Sequence, residues 1–133
     1  MKEGMLVLAA VILALGLQGA RADEQMQVTA NLVPVGSTVK GHVSLVAMPH
    51  GGTLISIVAS GLKPGGSYIS LYYDNHVCEI EPYSEDDIVG TYTGNRAGLG
   101  TTLSKVTDDL DEINSVSVRN AEDFSLLACA NVH

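Results

Sequence analysis

The stretch SGLKPGGSYISLYYDNHVC, from Ser60 to Cys78, contains the clearest structural signals in the chain. Its turn KPGG, residues 63–66, is incompatible with a helix because proline and glycine punctuate the backbone there. The next run, Tyr68–Tyr73, is rich in aromatic and β-branched residues, which favour strands. A polar loop, residues 74–76, then leads to Cys78. The stretch therefore predicts a strand that begins after a tight turn and ends at a cysteine-bearing loop.

Alternating apolar and polar residues, separated by turn signals, extend outward from this stretch in both directions. Such short, regularly spaced strands are typical of antiparallel sandwiches and barrels. The sequence therefore predicts an all-β fold, an antiparallel eight-stranded Greek-key sandwich or barrel. Because tryptophan is absent and there is a single phenylalanine, the core should consist of aliphatic residues with tyrosines near its edges. The eight predicted strands are Gln25–Leu32, Val39–Leu45, Thr53–Ser60, Tyr68–Tyr73, Ile88–Thr93, Leu99–Val106, Ser115–Arg119 and Ser125–Val132.

The first 22 residues have the pattern of an export signal. An uncharged run, Met5–Leu17, precedes the small-x-small sequence Ala20-Arg21-Ala22, which is typical of a cleavage site. The run is too short to span a hydrocarbon core of about 30 Å. We therefore predict a signal peptide over residues 1–22 and one secreted or periplasmic domain over residues 23–133. This domain would have no membrane span after cleavage.

The mature chain is strongly acidic. Without Lys2, Arg21 and Glu3, it keeps five basic and fourteen acidic residues, for a net charge of −9. This balance argues against nucleic acids and anionic membranes as partners, because both require basic patches. The acidic residues cluster in residues 79–87 and 108–112, which we interpret as a solvated rim. Calcium binding is the alternative, although neither cluster has the D-x-D-x-D-G pattern.

The chain has two cysteines, Cys78 and Cys129. In an exported protein they are most simply one disulfide, here closing a loop of about 50 residues. Two free buried thiols are the alternative.

Several short motifs resemble the copper/zinc superoxide dismutase family over about Val28 to Val132. Val39–Val43 is similar to the V-x-G-x-(I/V) second strand of that family, and Ser60–Gly65 to its S-G-L-x-x-G turn. Cys78 falls where the family has its loop cysteine, and Leu127-Ala128-Cys129 resembles its C-terminal L-A-C-G. The resemblance implies the family's Greek-key sandwich and an intrachain disulfide between the two matching cysteines.

The metal-binding residues of that family are absent. Ser70-Leu71-Tyr72 stands where the family has its copper-binding H-x-H, and Arg119 stands in place of the last copper histidine. Leu126 replaces the arginine that guides superoxide, and residues 79–87 contain no histidine. Because a copper site needs imidazoles, the resemblance implies a sandwich with no metal cofactor and no dismutase activity.

The residues at the vacated positions form our first candidate site. If the fold is that of the family, Ser70, Tyr72 and Arg119 lie close together. Tyr72 and Arg119 could then form a cation–π or hydrogen-bonded pair. The functional interpretation is a small polar binding patch, and the alternative is simple packing. The leading hypothesis is therefore a non-catalytic binding or structural module with an unknown ligand or protein partner. The tyrosine-rich strand leaves a homodimer open.

The second candidate site uses the scattered histidines. His76 and His133 both lie near the predicted disulfide, and with Asp74 they could hold copper or zinc loosely. His42 lies on an early strand, away from this pair. This set defines the alternative function, a divergent metal-binding superoxide dismutase.

Overall fold

A computed structural model describes residues 26–82 and 85–133, and within these ranges the protein is all-β. The predicted signal peptide, residues 1–22, lies outside the described residues. The described part has no helix long and apolar enough to cross a bilayer. All eight predicted strands are confirmed, with ends shifted by no more than two residues. The strands are β1 Gln27–Pro34, β2 Lys40–Ala47, β3 Thr53–Ser60, β4 Ser67–Tyr73, β5 Ile88–Thr93, β6 Gly100–Val106, β7 Ser115–Asn120 and β8 Leu126–Asn131, with short 3-10 turns at Glu85–Asp87 and Leu110–Glu112.

The strands form one antiparallel sheet that is nearly closed into a barrel. Hydrogen-bonded neighbours follow the order β5-β4-β7-β8-β1-β2-β3-β6. The two outermost strands, β5 and β6, lie side by side, and Gly90 of β5 permits this because a Cβ there would collide with the Thr102 hydroxyl of β6. Around the barrel, the orders β3-β6-β5-β4 and β6-β5-β4-β7 are both Greek keys. The predicted fold class is thus confirmed.

The interior is filled mainly by branched aliphatic side chains from opposite walls of the barrel, as expected for alternating strands. Two tyrosines also lie inside, and here the structure corrects the expectation that tyrosines stay at the edges. Tyr68 accepts a hydrogen bond from the Lys63 amide (2.7 Å), and Tyr72 donates to the Asp86 carbonyl (3.1 Å). Each ring is buried because its hydroxyl reaches a partner. Fully buried aliphatic residues of this core include Val43, Leu45, Ile55, Ile57, Ile113, Val116 and Val118.

A second, smaller cluster lies on the outer face of β4, β7 and β8. Consecutive residues of a strand point to opposite faces, so Leu71 and Tyr73 point outward while Tyr72 points inward. The loop 74–82 and the turn 121–125 cover this face. We call this set the outer cluster: Leu71, Tyr73 and Cys78, packed against Ile69, Ile88, Phe124, Leu126 and Cys129.

Candidate functional site

Ser70 and Tyr72, two members of the predicted binding patch, are directed into the barrel. Ser70 is fully buried, and its hydroxyl shares a 2.7 Å hydrogen bond with the hydroxyl of Tyr92 on β5. Tyr72 belongs to the main core. Both side chains therefore serve the packing of the barrel.

Arg119, the third member, lies on the opposite face of the sheet, against Tyr73, Cys78 and Phe124 of the outer cluster. Its guanidinium donates three hydrogen bonds: Nε to the Tyr73 hydroxyl (2.9 Å), Nη1 to the Phe124 carbonyl (2.8 Å) and Nη2 to the Cys78 carbonyl (2.7 Å). A planar fork of donors suits this arrangement, which a lysine could not reproduce. Arg119 thus ties β4 to the loop 74–82 and to the turn 121–125.

The aromatic partners of Arg119 differ from the predicted one. The guanidinium carbon lies 5.9 Å from the centre of the Tyr73 ring and 5.2 Å from that of Phe124, distances typical of cation–π contacts. The predicted partner was Tyr72, which points to the other side of β4. Arg119 itself is only 5% exposed. The structure therefore does not bring Ser70, Tyr72 and Arg119 to one surface.

Two of the acceptors of Arg119 belong to residues with an uncommon backbone conformation. Cys78 has φ = 56° and Phe124 has φ = 64°, and these are the non-glycine residues with positive φ in the described ranges. This left-handed region costs a bulky residue free energy, and it persists only where the surroundings hold it. At both positions the carbonyl oxygen accepts a bond from the same guanidinium.

The predicted disulfide is confirmed. Cys78 and Cys129 are bonded, with Cα atoms 6.0 Å apart and a sequence separation of 51. The bond fixes the loop 74–82 to the middle of β8. Closing a loop of this length stabilises the fold by about 4 kcal/mol in the chain-entropy model. The disulfide and Arg119 therefore hold the same cysteine, one through its side chain and the other through its carbonyl.

The predicted histidine site is not assembled as a cluster. Nδ1 of His76 lies 3.0 Å from the Asn131 side-chain oxygen, whereas Nε2 of His133 lies 3.0 Å from the Leu110 carbonyl. Asp74 is engaged through its backbone, with its carbonyl accepting a bond from the Asn114 amide group (2.6 Å). His42 lies on β2 opposite Asn31 of β1. Among the described residues, the group of three side chains that could share one cation is instead Asp109, Asp111 and Glu112, all exposed.

A polar cavity of about 250 Å³ opens where β4 ends and β7 begins. Burial, together with the carboxylates of Asp108 and Asp87, holds the pKa of the Tyr72 hydroxyl well above its ordinary value. The raised pKa favours the protonated phenol, which donates its hydrogen bond to the Asp86 carbonyl. The cavity is lined by Tyr72, Tyr73, Asp74, Glu81, Pro82, Asp87 and Asp108.

The two acidic clusters share one end of the barrel, a placement that the sequence pattern alone does not predict. Residues 74–82 and 85–87 lie in the connection that leaves the end of β4, and the loop 107–114 leads to the start of β7. These two strand ends pair through Tyr73 and Ser115, which brings the loops together. We call this the acidic end. Of the twelve acidic residues in the described ranges, ten lie in these loops: Asp74, Glu79, Glu81, Glu85, Asp86, Asp87, Asp108, Asp109, Asp111 and Glu112.

Comparison of the chain with protein-family models and with curated proteins gives no match.

Proposed function

We propose that this protein is an exported, disulfide-stapled β-barrel module that binds a partner and does not catalyse a reaction. The observation that carries the proposal is the packing around Arg119. Arg119 is 5% exposed, and its guanidinium donates three hydrogen bonds to residues of the outer cluster. In the resemblance to copper/zinc superoxide dismutases, this residue stands in place of a copper histidine. The guanidinium carries donors only, and it is hydrogen-bonded beneath two loops, so this position supplies no nitrogen ligand for a copper ion.

Further features support the proposed relationship to copper/zinc superoxide dismutases and the proposed export of the protein. Copper/zinc superoxide dismutase is one of many proteins that share a β-sandwich architecture, and the eight strands and the disulfide agree with such a fold. A shared fold leaves the activity open. The disulfide supports a secreted or periplasmic location, because such bonds persist in oxidising compartments.

Metal loading tests the proposal against its alternative, a divergent dismutase. The full-length chain is expressed with export, and the purified, oxidised product is incubated with copper and zinc and then dialysed. Bound metal and superoxide dismutation are measured in the same sample. We expect no stoichiometric copper and no dismutation above that of the buffer.

The control is a double variant, His76→Gln with His133→Gln, treated in the same way. Its metal content should equal that of the wild type, because both ring nitrogens already lie within hydrogen-bonding distance of protein oxygens. Stoichiometric copper that supports dismutation and disappears in the double variant would overturn the proposal and establish the histidines as the site.

A further inference from the structure

An apolar groove opens at the acidic end, beside the polar cavity. Its floor combines the start of β1, the turn between β2 and β3, and the 3-10 turn that precedes β7. The groove has a volume of about 380 Å³. Asp109 and Asp111 line it together with the apolar side chains of Met26, Val28, Ala47, Met48 and Leu110. Met26 is 41% exposed, which is high for a large apolar residue.

Hydrogen bonds from three segments hold the walls of this groove in place. The Gly52 amide donates to the Asp109 carboxylate (3.0 Å), and the Thr53 hydroxyl donates to the Asp108 carbonyl (2.8 Å). The His133 ring reaches the Leu110 carbonyl (3.0 Å). The groove is therefore preformed, which lowers the entropy that binding would cost. Its two methionines can adapt to apolar side chains of different shapes.

The negative charge around the groove favours a positively charged partner. Ten of the twelve described acidic residues lie in the loops of this end. Of the five basic residues in the same ranges, Lys105 lies near the acidic end on β6. Lys40, Lys63 and Arg96 lie on strand starts or turns at the opposite end, and the buried Arg119 pairs with Ile69 near the start of β4, also away from the acidic end. A negative field of this kind attracts cationic partners and repels anionic ones.

We propose that the groove docks a basic, amphipathic segment of another protein. Apolar side chains of the segment would cover the exposed Met26 and the half-buried Met48, and flanking lysines or arginines would face the Asp109 and Asp111 carboxylates. The inference rests on the proposed function, since it names the partner class of a non-catalytic binding module.

The test measures binding of a short fluorescent peptide of alternating lysine and leucine to the exported protein by fluorescence anisotropy. Two peptides of equal length serve as controls: lysine with serine, which keeps the charge, and glutamate with leucine, which keeps the apolar side chains. We expect the lysine–leucine peptide to bind at least about tenfold more tightly than either control. Its affinity should fall at least about fivefold between about 0.02 M and about 0.3 M salt.

Matched variants assign the binding to the groove. Asp111→Lys should weaken binding of the lysine–leucine peptide at least about tenfold, whereas Glu122→Lys, an equal charge change at the other end of the barrel, should change it by less than about twofold. Met48→Ser should weaken binding about fivefold through lost apolar contact, and its control is Leu103→Ser, at an exposed leucine on β6.

Three results would overturn the inference. The first is equal binding of the lysine–leucine and lysine–serine peptides. The second is an equal effect of Asp111→Lys and Glu122→Lys. The third is self-association in sedimentation velocity that Met48→Ser abolishes, because a second copy would then be the occupant. Copper-dependent dismutation would overturn the proposed function without altering any of these peptide results, so the two proposals fail separately.

Discussion

Replacing Arg119 with methionine tests whether this buried cation holds the outer cluster together. The variant leaves the Cys78 and Phe124 carbonyls without their donor, at a cost of about 1–3 kcal/mol each. The Tyr73 hydroxyl keeps its 2.8 Å hydrogen bond with the Ser117 hydroxyl. Losing the bond from Arg119 to this hydroxyl therefore costs little stability. Removing a buried charge recovers part of the desolvation cost. We therefore expect the free energy of unfolding to fall by about 3 kcal/mol.

The measurement is urea denaturation followed by far-ultraviolet circular dichroism, with the disulfide intact in both proteins. Arg96→Met is the matched control, because Arg96 is exposed in the turn between β5 and β6, and it should change stability by less than about 0.5 kcal/mol. Arg119→Lys keeps the positive charge but loses the planar set of donors that reaches three acceptors. This variant should therefore also be less stable than the wild type. If Arg119→Met matched Arg96→Met, the three hydrogen bonds would only balance desolvation, and the assigned role of Arg119 would be refuted.

Three further predictions concern the disulfide and two titrating groups. Replacing Cys78 and Cys129 together with alanine should lower the free energy of unfolding by about 4 kcal/mol; an unchanged urea midpoint would contradict this. Burial raises the pKa of Tyr92 to about 12. The contribution of protonated Tyr92 to the free energy of unfolding is therefore fully present below about pH 10 and is lost as the pH rises towards 12. The stability advantage of the wild type over Tyr92→Phe should therefore shrink across that window, and a constant difference would show that Tyr92 does not titrate there. Hydrogen bonds from the Ser125 amide and hydroxyl lower the pKa of Asp123, so its contribution is present above about pH 4 and disappears as the pH falls through the lowered value. Asp123→Asn should thus be less stable than wild type at neutral pH, the difference should shrink as the pH falls below about 4, and a carboxyl titration by NMR should give a pKa below the ordinary value.

The strands could be predicted from sequence because each one carries its own local signal. Thr53–Ser60 and Ile88–Thr93 are bounded by turn residues on both sides, and their observed ends agree with the predicted ones. The disulfide could also be predicted from sequence, since two cysteines allow a single intrachain pairing. These features depend on short stretches or on composition, and neither requires knowledge of which strands become neighbours.

The orientation of β4 could not be predicted in this way. Its run Tyr68–Tyr73 carries large apolar side chains on both faces, so alternation does not say which face points inward. A register shift between Ser70 and Leu71 against β5 adds to the ambiguity. The placement of Arg119 depends on this orientation, because Arg119 of β7 pairs with Ile69 of β4. The acidic end depends likewise on non-local strand pairing.

The clamp formed by Arg119 also has a consequence for hydrogen exchange. The loop 74–82 and the turn 121–125 are far apart in sequence, yet both contribute a left-handed residue whose carbonyl is held by the same guanidinium. When the hydrogen bonds of that guanidinium break, both segments lose the contact that offsets their backbone strain. The two segments should therefore open as one cooperative unit while the barrel strands stay protected, and their amides should exchange with a common opening free energy below that of global unfolding.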